Sequence, residues 1–179
     1  MHLNPYGEYA VLLAADLANT PPRTGPEVHE RMRDGGMTMD WPHRPDDLDS
    51  TLAMIEEWLA VVDAPDPAER ARLLNAMMAD SAAYPRLTDH DDEGWHLHYR
   101  DRDQRVGQVL RAVISVGTAL HLAGRGMHRL HRCEAGEHPG DPCRNVVVDV
   151  TRNGRQRFCS VRCANRAAVR RHRARLASR

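Results

Sequence analysis

The chain has four cysteines, Cys133, Cys143, Cys159 and Cys163, and all of them fall between residues 133 and 163 of 179. Zinc takes four tetrahedral thiolate or imidazole ligands, delivered as two pairs from separate chain segments. The spacing supplies two pairs, Cys133 with Cys143 and Cys159 with Cys163, so one Zn2+ per chain is the expected cofactor. Where thiols stay reduced, clustered cysteines more often bind metal than form disulfides. The competing readings are four buried thiols or an unrelated disulfide pair. The gap between Cys133 and Cys143 contains His138, and His131 lies just outside it; either histidine could replace Cys133 as a ligand.

The last pair leads into a second chemistry. From Ala164 to Arg175 the chain is proline-free and rich in helix formers and arginine. Arg162, Arg166, Arg170 and Arg173 recur at steps of four, four and three, which predicts one cationic stripe, with Val161, Ala164, Ala168 and Val169 turned toward the metal unit. Such a helix fits the major groove of duplex DNA, where guanidiniums hold phosphates or read guanine edges. The candidate DNA contacts are Arg152, Arg155, Arg162, Asn165, Arg166, Arg170, Arg171, Arg173 and Arg175. An arginine-rich solvated end, or a helix docked on acidic surface, is the blander alternative.

Charge distribution bears on that choice. Residues 1–124 carry 11 Arg against 21 acids, a net of −10; residues 125–179 carry 14 Arg against 4 acids, a net of +10. The formal net charge of zero therefore hides a dipolar molecule, and a basic end of this kind suggests a polyanionic partner. Every basic side chain other than histidine is Arg, which suits bidentate phosphate binding but equally reflects composition, since Lys is missing from the acidic part too.

These residues must be positioned by local elements. Val146 to Val150, the turn Asn153-Gly154, and Gln156 to Phe158 predict a hairpin. Ser160 is placed to cap the last helix, so that the Cys-x3-Cys spacing sets two thiolates one turn apart. A unit this small cannot bury a core of its own, and metal would be a condition of its folding.

The rest of the chain reads as helical. Tyr6 to Asn19 predicts a buried helix with Val11, Leu12, Ala15 and Ala18 inward, part of it alternatively a strand. Residues 20–45 are mostly loop, with room for a short helix from Glu27 to Arg33. Asp46 or Asp47 should cap a helix to Val62 that presents Leu48, Leu52, Ile55, Leu59 and Val62. Asp66-Pro67 should open its hairpin partner, with Leu73, Leu74, Met77 and Met78 inward as far as Ser81. Asp89 to Gly94 reads as an acidic turn, Trp95 to Tyr99 as a short strand, and Val106 to Leu120 as a long amphipathic helix ending at Gly124-Arg125-Gly126.

The expected fold is mainly α, of the α+β kind: a helical N-terminal domain with little sheet at 1–126, followed at 127–179 by a small treble-clef-like zinc finger made of a β-hairpin and a basic helix. No segment approaches the roughly 20 apolar residues of a membrane span, and no secretory leader is evident, which sets the cytoplasm, in association with the nucleoid, as the expected compartment. His96 and His98 share a strand face without an evident third ligand, and the acidic clusters lack a nucleophile or phosphate loop. No catalytic constellation is therefore expected. Asp16 and Asn19 could line a pocket, but within an apolar helix they suit capping or satisfying nearby backbone.

At Cys159-Ser-Val-Arg-Cys163-Ala164-Asn165-Arg166 the chain resembles the bacterial CGNR zinc-finger proteins, whose signature is a cysteine followed by Cys-Gly-Asn-Arg and a basic helix. Ala164 stands in place of the family's glycine. Thr151 to Arg155 resembles the family's hairpin turn. Asp16-Leu17-Ala18-Asn19-Thr20 and Trp95 to Tyr99 resemble the ABATE-type domain that accompanies this finger. The family is described as transcription regulators linked to stress. The resemblance therefore implies duplex DNA as partner, and a homodimer would supply the affinity one short helix lacks. The N-terminal domain would dimerise or sense a small-molecule or protein effector. The alternative function is a structural zinc module that mediates protein or RNA interaction.

Overall fold

The computed structural model describes residues 8–37, 42–88, 96–99 and 104–178. Helix α5 (Val106–Arg125) is its axis, and α1 (Glu8–Asn19), α3 (Asp47–Val62) and α4 (Pro67–Ser81) pack around it. Helix α2 (Gly25–Asp34) lies against α1 and α3. By length and composition α5 is apolar enough to cross a membrane, which corrects the expectation that no segment comes close. Most of it is buried among the other helices, and that burial accounts for its apolar sequence.

Local chemistry sets the helix starts. Thr24 accepts a hydrogen bond from the Glu27 backbone N–H at 3.3 Å, and Asp66 accepts one from that of Glu69 at 2.9 Å, each with proline in the first turn. Helix α3 differs from expectation. Asp46 occupies the cap position but makes no side-chain cap bond, because it pairs with Arg105 at 2.5 Å, and Asp47 is buried within the first turn. Gly126, at φ +104°, ends α5 in a conformation that glycine tolerates.

Among the described residues the hydrophobic core is aliphatic apart from Trp58, fully buried on α3, whose indole Nε1 donates to Thr118 Oγ1 on α5 at 3.0 Å. The inward face of α1 is set by Val11, Leu13, Ala14 and Leu17, and Leu12, expected inside, is exposed. The reason is rotational: a helix with apolar residues at 11, 12 and 13 can bury only some of them, and the face through 10, 14 and 17 wins. His121 on α5 is fully enclosed, and burial, with Arg125 nearby, lowers its pKa, favouring the neutral ring.

Two small antiparallel sheets complete the fold. Strand β1 (Arg86–Thr88) pairs with β2 (His96–His98), with Leu87 opposite Leu97. The strand expected near Trp95 is thus present, although Trp95 and the predicted acidic turn Asp89 to Gly94 lie outside the described residues. Strand β3 (Leu130–Arg132) pairs with β4 (Val146–Val148). This differs from the expected hairpin: β4 returns to the segment before Cys133 and not to Gln156–Phe158. Residues 151–154 turn as Asn153-Gly154 suggested, with Gly154 at φ +65°, but no strand follows.

The β3–β4 sheet belongs to the helical core. Leu130, Val146 and Val148 pack in the same buried cluster as α1, α3 and α5. Asn19, at the end of α1, donates its side-chain amide to Val146 O at 3.0 Å, and its Oδ1 accepts the Val146 N–H at 2.6 Å, so one side chain extends the sheet edge. Arg132 grips Asp63 bidentately at 2.7 and 2.6 Å. Arg70 donates to the carbonyls of Val61, Val62 and Met127 at 3.0, 2.8 and 2.5 Å, closing the end of α3 and holding the chain after α5.

Helices α3 and α5 approach closely at Gly107, where an added Cβ would lie 2.5 Å from Ser50 Cβ. Gly107→Ala is expected to lower stability by about 1–3 kcal/mol through overpacking, to be read from chemical or thermal unfolding, whereas Ser50→Gly in the same background should recover part of the loss.

Candidate metal centre and basic helix

Three segments deliver the four sulfurs. Cys133 follows β3, Cys143 precedes β4, and Cys159 and Cys163 straddle the start of α6 (Val161–Ala177). Ser160 caps α6 as expected, accepting from the Cys163 backbone N–H at 3.3 Å, and this cap sets the two thiols one turn apart. The Sγ separations are 3.7 Å for Cys143–Cys159, 3.6 Å for Cys159–Cys163 and 3.8 Å for Cys143–Cys163, and Cys133 completes a group whose sulfurs all lie within 4.8 Å of one another.

All four are free thiols. Their spacing is far beyond a disulfide bond of about 2.05 Å. A tetrahedral ion with bonds of about 2.3 Å to sulfur sets its ligands about 3.8 Å apart, so the cluster already has the dimensions of a four-thiolate metal site. Neither histidine competes. His131 has both ring nitrogens against backbone carbonyls, Nδ1 at 2.8 Å from Arg132 O and Nε2 at 3.0 Å from Gln156 O, and His138 is exposed outside the cluster.

Polar hydrogens reach three of the four sulfurs. The Cys159 N–H points to Cys133 Sγ at 3.4 Å, the Asn145 amide to Cys159 Sγ at 3.6 Å, and Arg166 Nη2 to Cys163 Sγ at 3.2 Å. The Ser160 hydroxyl lowers Cys163 to about 7, whereas burial pushes Cys159 up to about 12 and also raises Cys143. Four sulfurs this close cannot all ionise unaided, and a divalent cation at their centre removes that conflict.

The loop from Cys133 to Cys143 is held from within. Gly136 N–H bonds to Cys133 O at 3.0 Å, and a Cβ at Gly136 would fall 2.0 Å from Cys143 O, so the loop closes only with glycine there. Asp141 is the loop's second anchor. Its buried carboxylate accepts from the Cys143 N–H at 3.1 Å, from Arg166 Nε and Nη2 at 3.2 and 3.0 Å, and from Arg170 Nη1 at 2.6 Å. Hydrogen bonds from Arg170 and Arg166 hold its pKa well below the usual carboxylate range. Arg170 also reaches Ala135 O at 3.3 Å. Asp149 does similar work in the following turn: burial alone would raise its pKa, but bonds from Thr151 and the Gln156 N–H lower it overall.

The predicted arginine stripe is thereby divided. Arg166 and Arg170 bend to Asp141 while still partly lining a shallow groove; Arg162 and Arg173 lie on the same groove without an ion pair among the described residues, with Val161, Asn165 and Val169. The expectation that Val161, Ala168 and Val169 face the metal unit is corrected: Val161 is 76% and Val169 50% exposed, Ala168 is exposed, and Cys163 and Ala167 are the buried residues of α6. Cys163 sets the helix phase because its sulfur must reach the cluster, and that rotation carries the valines outward. Arg152, Arg155, Arg162, Asn165, Arg171, Arg173 and Arg175 are exposed and make no ion pair among the described residues. Gly136, Asn145 and Asp141 escaped sequence reasoning. The legible signal for Asp141 was that it is one of only four acids among the 14 arginines of residues 125–179.

The CGNR zinc finger model matches residues 129–176, and a second, the ABATE domain, described as "putative stress-induced transcription regulator", matches residues 12–125. No curated protein matches the chain.

Gly136→Ala is expected to weaken metal binding by about 10–100-fold, measured by competition with a chromogenic chelator. Asp141→Asn should destabilise the docked α6. A carboxylate with a depressed folded pKa contributes fully above its unfolded value of about 3.9 and loses that contribution as pH falls through the folded value. The stability difference between Asp141→Asn and wild type should therefore be the same at about pH 8 and pH 5.5 and shrink only below about pH 4, as chemical denaturation of the metal-loaded proteins would report.

Proposed function

The chain belongs to the ABATE family of transcription regulators, and from that premise we propose that it is a zinc-dependent DNA-binding regulator whose α6 enters the major groove of duplex DNA. One Zn2+ per chain, held by Cys133, Cys143, Cys159 and Cys163, orients the helix. Residues 1–126 act as the dimerisation or effector-sensing domain and residues 127–179 as the DNA-binding domain. Its place of action is the cytoplasm, at the nucleoid.

The observation that carries this reading is the two-sidedness of α6. Its inner face is fixed to the sulfur cluster and to Asp141, and its outer face is uncovered and cationic. A helix of about 10–12 Å fits a groove of about 12 Å. Asn165 suits an adenine edge, Arg162 and Arg173 suit guanine edges or phosphate, and the methyls of Val161 and Val169 suit thymine methyls. Arg152, Arg155, Arg171 and Arg175 contact phosphate, which sets register without reading sequence. Arg166 and Arg170 contribute chiefly by holding the helix. The long-range links from α1 and the end of α3 to the β3–β4 sheet, and from α4 to Met127 just before it, give an effector or a dimer contact a route to the finger.

A second reading has one observation in its favour: Val161, Val169 and Leu176 are exposed apolar residues on α6, which would suit a protein partner. The two separate in one experiment. Binding to duplex fragments from around its own promoter, over a salt series and with zinc content measured on the same sample, should be tight and sequence-dependent. Log K should fall with log salt by about 0.9 per phosphate contact. Cys159→Ser with Cys163→Ser should lose both zinc and binding, and Arg162→Ala with Arg173→Ala should lose binding alone. Light scattering on the same material should report a dimer. One zinc per chain with weak, sequence-blind binding would instead favour the interaction module.

A further inference from the structure

A second cluster of metal-ligating side chains lies away from the cysteines. Asp47, in the first turn of α3, is 1% exposed, and its Oδ2 accepts the Arg44 backbone N–H at 2.8 Å and lies 2.8 Å from His29 Nε2. Its other oxygen, Oδ1, is buried with no hydrogen-bond partner among the described residues. His29, on α2, is itself 5% exposed, and its ring packs against that of His43 at a 36° tilt with centroids 4.0 Å apart. His43 is exposed, in the segment that leads into α3. One ligand atom from each of the three residues lies within 4.8 Å of the other two.

A hydrogen-bonded His–Asp pair would clamp α2 to α3 by itself, but it leaves two features unexplained. One is the unpartnered Oδ1, since a buried carboxylate is costly unless opposite charge compensates it. The other is the second imidazole. A divalent cation would compensate the carboxylate and take both imidazoles as ligands at once.

We propose that His29, His43 and Asp47 form a second metal site for a borderline divalent first-row transition ion such as Zn2+, Co2+ or Ni2+. Two imidazoles and a carboxylate suit these ions better than Ca2+ or Mg2+, which prefer all-oxygen shells, or soft ions, which prefer thiolates. Three protein ligands leave at least one coordination position open. With His43 at the surface, the ion exchanges with solvent without unfolding, and its occupancy ties the segment before α3 to α2. The site stands independently of the DNA-binding reading of α6.

The test uses full-length protein carrying one equivalent of Zn2+, titrated with Co2+ and followed by metal analysis, calorimetry and visible absorption. The expected result is a second equivalent per chain, with d–d absorption but without the intense thiolate-to-cobalt charge transfer of a cysteine site. His43→Ala, at an exposed position, should retain the first zinc and the melting temperature of the metal-saturated cysteine centre while losing at least about 100-fold in affinity for the second ion. Asp47→Asn should also lose the second ion. No second equivalent in excess Co2+, equal binding by His43→Ala, or a second ion with thiolate charge transfer would each overturn the assignment.

Discussion

The meeting of four sulfurs at one point is the constraint from which the C-terminal architecture follows. The apolar residues buried around them are few: Ala135 and Val147, with Phe158 partly buried. Such a cluster cannot hold a loop, a strand end and a helix in register by burial alone. A metal ion held by the four sulfurs would supply what burial does not, and because Cys163 lies inside α6, it would fix the rotation of that helix as well as its position. Asp141 enforces the same rotation through charge, drawing Arg166 and Arg170 inward while its other bond holds the Cys143 backbone. A metal at the sulfurs and the Asp141 ion pairs would act on the same two segments, so each would order the partner the other needs.

A second consequence concerns the junction between the two halves. The sheet that leads to Cys133 and follows Cys143 is packed into the helical core through Leu130, Val146 and Val148 and pinned by Asn19 and the Asp63–Arg132 pair, while Arg70 holds Met127 just before it. A shift of α1 or α3 relative to α5 therefore moves the chain immediately before and after the first two sulfurs. Helix α6, beyond Arg170, has no such support; from Arg171 to Ser178 every described residue is exposed. The molecule thus combines a firmly held base for the basic helix with an uncovered far end.

Much of the fold was legible in particular residues. Periodic apolar positions located α1, α3, α4 and α5, whereas α2 was legible only as room for a short helix in a loop-rich stretch; Asp66 and Ser160 stand where capping chemistry puts them. The failures share one cause. Leu12, Val161 and Val169 were assigned inward by local hydrophobicity, and the structure turns each outward because another residue on the same helix has a stronger claim on the interior. The hairpin failed in a related way: Val146 to Val148 pairs with residues before the first cysteine, at a sequence distance that no turn motif signals. Gly136 shows no sequence pattern either, because its requirement arises from a backbone carbonyl seven residues away.

By itself the sequence determined the candidate ligands, the helical character and the separation of charge, since these follow from residue type, local propensity and short spacing; that the four cysteines, and not His131 or His138, come together was decided by the tertiary structure. Tertiary structure decided which way each helix faces, and with it which arginines serve the protein and which remain outside. It also decided that Asn19 completes a sheet and that His29, His43 and Asp47 meet. Those outcomes depend on contacts between distant segments, where the cost of leaving a charge or a backbone group unpaired in the interior outweighs any local preference.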